Sequence, residues 1–153
     1  MLDATAVDLI DQVVANPDAW YPSLNLKDWQ ELYRVPGTAP QTLQRQMTMA
    51  MADCNARLAE WKAALLETAV ANGDPVPAAL PGENAIDYQE AVYALATALL
   101  IPLLPSLATD ERAQQALAQL QQLPRDFSAR ADSRLGRIKG ETLGRARLKA
   151  ETI

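Results

Sequence analysis

From Ala39 to Asn72 the chain reads as one continuous helical stretch, and this constrains the fold more than any other feature. Its apolar positions Leu43, Met47, Met51, Cys54, Leu58, Trp61 and Leu65 are spaced by four, four, three, four, three and four residues. That is close to heptad spacing and places the seven on one helical face. Thr38 and Gln41 stand in the spacing of a capping box, and Pro40 fits the first turn, where its missing N–H is not needed. The stop is Asn72-Gly73-Asp74-Pro75, where Gly suits a left-handed cap and Pro forbids continuation. At 1.5 Å per residue the helix would run ~50 Å. A stripe of that length needs long partners, which predicts an all-α bundle of about four to five helices.

The partners are legible on either side. TAVDLIDQVVA, with Val7, Ile10, Val13 and Val14 at helical spacing before Asn16-Pro17, reads as a small amphipathic helix. In the proline-punctuated segment that follows, a short helix fits at Leu26 to Tyr33. Trp20, Tyr21, Trp29 and Tyr33 crowd this segment and admit two readings, a satellite core or an aromatic contact surface for another subunit. NGDPVPAALPGENA, with three prolines and two glycines, reads as a flexible loop joining two halves of one bundle. A partner helix begins at Asn84 with Ile86, Val92, Leu95, Leu99 and Leu103 in register. Ala91 to Ala108 is almost wholly apolar, but Pro102 and Pro105 break it and no basic flank marks it, so it reads as a central core helix rather than a membrane span. Thr109-Asp110-Glu111 starts a further helix with Ala113, Ala116, Leu117 and Leu120 on one face. Pro124 ends or bends it, and Phe127, Ala131, Leu135 and Ile138 continue a weaker stripe. RARLKAETI alternates Ala146, Leu148 and Ala150 with charge, which suits an extended tail, although the same letters also continue a helix. The expected organisation is one helical-bundle domain over residues 1–142 and an extended C-terminal tail over 143–153.

Charge and chemistry narrow the function. Residues 1–123 hold six Lys or Arg against fifteen Asp or Glu, and residues 124–153 hold eight against four, so an acidic body carries a basic end. An acidic body repels phosphate, which argues against nucleic-acid binding through that surface. With no histidine in the chain, the commonest general base and metal ligand is missing, and the Glu-x-x-His repeats of di-iron bundles cannot be made. Cys54 lies in the apolar stripe with no His to activate it, which makes it structural. GRIKGETLGR has the wrong glycine spacing for a phosphate loop and no strand before it. No catalytic, cofactor or metal residues are expected. One cysteine, and a start without an export signal, fit synthesis in a cytoplasm.

Beyond its parts, WYPSLNLKDWQELYRVPGTAPQTLQRQMTMAMADCNARLAEWKAALL resembles the head completion/stabilisation proteins of tailed bacteriophages, the GPL family. The likeness rests on an aromatic-Pro-x-Leu-x-Leu start, Trp29, Tyr33-Arg34, a turn at Gly37-Thr38, and a helix with Leu43, Met51, Asn55, Leu58 and Trp61. YQEAVYALATALL resembles the family's Tyr-x-x-Ala-Val-Tyr helix through Tyr88, Ala91, Val92 and Tyr93. The resemblance implies a structural virion protein, made in the host bacterial cytoplasm, that acts as a head–tail connector. It would bind the portal protein, join neighbouring copies in a ring of about twelve, and meet a tail-terminator or tail-completion protein. DNA would pass through the channel without specific binding, and no membrane is involved. Trp20, Tyr21, Trp29, Tyr33, Arg145, Arg147, Leu148, Lys149 and Ile153 are then candidate contacts to the portal or a neighbouring subunit. The end from Arg145 to Ile153 reads either as a docking tail or as a loose terminus. Two other classes fit the composition, a small helical DNA-packaging or regulatory DNA-binding subunit and an unrelated helical protein–protein interaction module.

Overall fold

The computed structural model of the chain describes residues 8–37, 39–103 and 124–151, with positions 111, 114, 115 and 118 between; in the last helix it describes the side chains of 126–140. The elements run β1 (Val13–Val14), β2 (Leu24–Asn25), α1 (Leu26–Tyr33), α2 (Pro40–Arg57), α3 (Ala59–Asn72), α4 (Ala85–Leu100) and α5 (Pro124–Glu151), with 3-10 turns at Gly82–Asn84 and Ile101–Leu103. The all-α expectation holds, apart from the two-residue antiparallel pairing of Val13 with Asn25 and Val14 with Leu24.

Helix α4 organises the rest. It packs against both α2 and α5. Tyr88, Ala91, Val92, Tyr93, Ala94, Ala96 and Leu100 are fully buried along it, as a middle helix enclosed on most sides requires. The predicted stripe of α2 is the face it meets: Leu43, Met47, Met51, Cys54 and Leu58 are 1 % exposed or less. On α5, Phe127, Ala131, Leu135 and Ile138 form the buried face, so the weaker stripe read in the sequence is real, and Pro124 begins this helix.

Several expectations are corrected. The single helix over 39–72 is two, parted at Leu58, whose backbone (φ −93°, ψ −1°) is off helical while its N–H still reaches the Cys54 carbonyl at 3.0 Å and its carbonyl still accepts from Lys62 at 2.8 Å. The axis is interrupted for one residue while the hydrogen-bond ladder largely persists. The N-cap of α2 is Ala39, with φ 61° and no side-chain cap bond, and Thr38 lies outside the described residues. The expected helix near Val7 to Ala15 is irregular chain from Asp8 onward, with a tight turn from the Ile10 carbonyl to the Gln12 N–H, leading into β1. The expected extended tail from residue 143 is instead helical through Glu151. The face Ala113, Ala116, Leu117 and Leu120 lies outside the described residues.

Two predicted boundaries stand. Helix α1 spans Leu26–Tyr33 and is N-capped by the Asn25 side chain, which accepts from the Lys27 N–H. Gly73 (φ 71°) closes α3 in the left-handed conformation that Gly adopts at no steric cost.

Candidate functional site

The four aromatics named as contact candidates are core residues in the isolated chain: Trp29 is fully buried, Tyr21 is 3 % exposed, and Trp20 and Tyr33 are 9 % exposed. They present no aromatic surface there. The satellite-core reading accounts for them, and their surroundings show why the segment needs so many rings. Trp20 meets Tyr21 edge-on at 4.9 Å and Trp61 at 6.2 Å, and Tyr21 stacks on Tyr88 at 5.0 Å. Lys62 Nζ sits 4.9 Å above the Trp20 ring and holds Asp18 at 3.0 Å. The Trp20 backbone N–H and the Lys62 ammonium both stabilise the Asp18 carboxylate, which lowers its pKa. Tyr33 lies between Tyr93 and Phe127, with the Arg130 guanidinium 5.8 Å from its ring.

Beneath the rings is a closed polar triad. Asn16 Nδ2 donates to Tyr88 Oη at 2.7 Å, Tyr88 Oη donates to Asn55 Oδ1 at 2.6 Å, and Asn55 Nδ2 donates to Asn16 Oδ1 at 2.8 Å. It joins the N-terminal segment, α2 and α4 at one point, and a half-buried network satisfied in this way favours one arrangement of its elements. A second lock is Gln30, 1 % exposed, whose amide accepts from Ile10 N–H at 2.8 Å and donates to the carbonyls of Asp8 and Val35 at 2.7 and 3.2 Å. A third is Trp29 Nε1–H, donated to Thr97 Oγ1 at 2.9 Å inside the core. The proline loop, expected to be flexible, is fastened too: Trp20 Nε1–H donates to the Pro77 carbonyl at 3.1 Å and the Leu80 N–H to the Trp20 carbonyl at 2.8 Å.

None of this is catalytic geometry. Burial pushes the Cys54 thiol up to about 12, with the Asp53 carboxylate adding to it, the reverse of an activated nucleophile. Burial likewise raises the pKa of Tyr88 and Tyr93, so both stay protonated. Among the described residues, no group of three or more Cys, Asp or Glu side chains is placed to hold a metal ion, and no helix is long and apolar enough to cross a membrane. Arg145, Arg147, Leu148, Lys149 and Ile153 fall where no side chain is described.

The fold is a small helical bundle locked by aromatic stacking and side-chain amides. The family model described as phage head completion protein (GPL) matches residues 14–148, and the chain belongs to that family. It is a structural protein of the phage head, and so of the virion. No curated protein and no solved structure matches the chain. The residues that carried the resemblance are those the fold depends on: Tyr21, Leu24, Leu26, Trp29, Leu43, Met51, Leu58, Trp61, Tyr88, Ala91, Val92 and Tyr93 are buried, and Asn55 completes the triad. The sequence signature is therefore one of folding. Gln30 carried no signal in the sequence; Asn16 beside Pro17 was visible only as a helix stop, and Thr97 only as a polar interruption of an apolar run.

Proposed function

We propose that this protein is the adaptor of the portal vertex: copies bind the portal protein, form a ring around the channel, complete and stabilise the DNA-filled head, and offer the surface on which a tail-completion or tail-terminator protein docks. The family match over residues 14–148 carries the reading. Two physical features support it. The long α2–α3 arm and α5 are stiff elements that a ring packs side by side while leaving a channel. The acidic body, with fifteen carboxylates against six cations in residues 1–123, opposes adhesion of passing DNA. The basic end, residues 145–153, is the segment proposed to reach the portal.

The test is sedimentation of the purified protein with purified portal vertices at micromolar concentration. The adaptor should co-sediment in a fixed ratio to portal, and truncation after Leu143 should abolish this with little change in the melting curve. Protein left in the unbound fraction overturns the reading. Salt-sensitive DNA binding in the same preparation would favour the packaging-subunit alternative.

A further inference from the structure

The arm α2–α3 carries a second apolar seam, on the side away from its core stripe. Met49, Ala52, Ala56, Ala59, Ala63 and Val70 follow one another at three, four, three, four and seven residues, with the half-buried Leu66 in the gap. The six are solvent-exposed, Met49 at 50 % and Val70 at 68 %. At 1.5 Å per residue the seam is roughly 30 Å long. At 100° per residue it lies about opposite the face that holds Met51, Cys54, Leu58 and Trp61. Spacing of three and four is that of a helix seam made for another helix. Only Trp61 is buried in all of α3, although most of its residues are apolar. Glu60 and Glu67, one heptad apart and exposed, run along one edge of the seam; Asp53 continues that edge and pairs with Arg57 of its own chain.

The complement is on α5. Opposite its buried stripe, Ala129, Ser133, Gly136 and Gly140 lie at four, three and four residues and are exposed. A Cβ added at Gly136 or Gly140 would meet nothing within 4 Å, so the face is a shallow open trough. Small residues at such spacing let another helix approach closely. The exposed Arg130 and Arg137 run along one edge of the trough, Arg130 over the Tyr33 ring and Arg137 paired with Asp87 at 3.7 Å, while Asp132 beyond the other edge is neutralised by Arg57 of its own chain.

We propose that the seam Met49–Val70 of one copy docks in the Ala129–Gly140 trough of a second copy of this chain. Charge decides the pairing. Two seams packed antiparallel on each other would bring Glu60 and Glu67 against their own kind, whereas seam on trough brings them to arginines. Because the seam lies opposite the buried stripe of α2 and the trough opposite that of α5, each copy offers one face and accepts at another. Such a heterologous contact repeats, and closes into a ring if its rotation permits. The proposal deepens the ring reading above and rests on it.

Mixing Ala63→Cys and Gly136→Cys single variants tests it by disulfide capture, both free at high concentration and bound to portal vertices. Cys54 does not interfere, because it is buried. The expected product is a cross-link between unlike variants, more than tenfold over that from either variant alone. Gly136→Met, at a site open to solvent, should leave the melting temperature unchanged or raised and abolish both the cross-link and multi-copy assembly. Cross-linking of Ala63→Cys to itself at equal yield, or no cross-link in either sample, overturns the proposal. Portal binding without the cross-link would sink this interface and leave the adaptor reading standing. The cross-link without portal binding would do the opposite.

Discussion

Gly37 and Asp8 touch so closely that a side chain at the glycine has nowhere to go: an added Cβ would lie 2.0 Å from the Asp8 carbonyl oxygen. The obstacle is backbone, which cannot rotate aside, and the Gln30 amide holds the same carbonyl from the other side. Gly37→Ala should therefore cost about 3 kcal/mol. Gly136→Ala, in an open helical position, should gain up to about 1 kcal/mol from helix propensity alone. Urea melts of the two variants shifting in the same direction would contradict the placement of one of these glycines.

Tyr88 and Tyr93, both on α4, should part company on removal of a hydroxyl. Tyr88 Oη bonds both Asn16 and Asn55, so Tyr88→Phe strands two amides and should cost about 1–3 kcal/mol. Tyr93 Oη is buried without a hydrogen-bond partner among the described residues, so Tyr93→Phe should be neutral or stabilising. Thermal melts decide it, and a destabilised Tyr93→Phe would reveal a partner for that hydroxyl.

Leu58 is fully buried at the junction of α2 and α3. Leu58→Ala should cost roughly 2–5 kcal/mol. It should also loosen the arm, read as faster amide exchange in residues 59–72 than in α4. Uniform protection across both helices would show that the junction does not depend on this side chain.

Alkali should unfold the protein through groups that cannot ionise inside it. Burial holds Cys54 and Tyr21 each up to about 12, against ordinary values of 9.0 and 10.0. Both are neutral when folded and ionise first in the unfolded chain. Their contribution is complete below pH 9 and is lost as pH rises from 9 towards 12. Cys54→Ala should delay the onset of the alkaline decline by about one pH unit, towards the tyrosine range. Native Cys54 should also resist a thiol reagent at pH 8. Rapid labelling at that pH would place the thiol at the surface.

What the sequence showed and what it hid divide along the range of the interactions. Stripes with local period, such as Leu43 to Leu65 and Phe127 to Ile138, were readable because each side chain reports its own face. So was α1, in its proline-punctuated segment. The segment before β1 carried a helical spacing of apolar residues, yet Gln30, twenty positions from Ile10, takes the Ile10 N–H, and no local pattern announces such a bond. The last residues alternated like a strand, but Ala, Lys, Arg and Glu are strong helix formers, and the helix continues through Glu151. Leu58 sits at a break that no glycine or proline marks. The crowded rings of residues 20–33 were legible as adhesive and silent about what they adhere to, since a core and an interface demand the same side chains.

The clasp of Trp20 on the proline loop has a consequence for how the chain responds to proteases. Gly73, Asp74 and Val76 are exposed, so a protease reaches the backbone there, while Pro77 and Leu80 just beyond are fixed to Trp20. A cut in this stretch would sever the covalent path between α3 and α4 without freeing either piece, because α2 remains packed on α4 and the Asn16–Tyr88–Asn55 bonds bridge the gap. The two fragments should co-elute under native conditions and separate only in denaturant. The N- and C-terminal halves would thus behave as a complementing pair, a chain that tolerates being broken at the point where it looks most like a hinge.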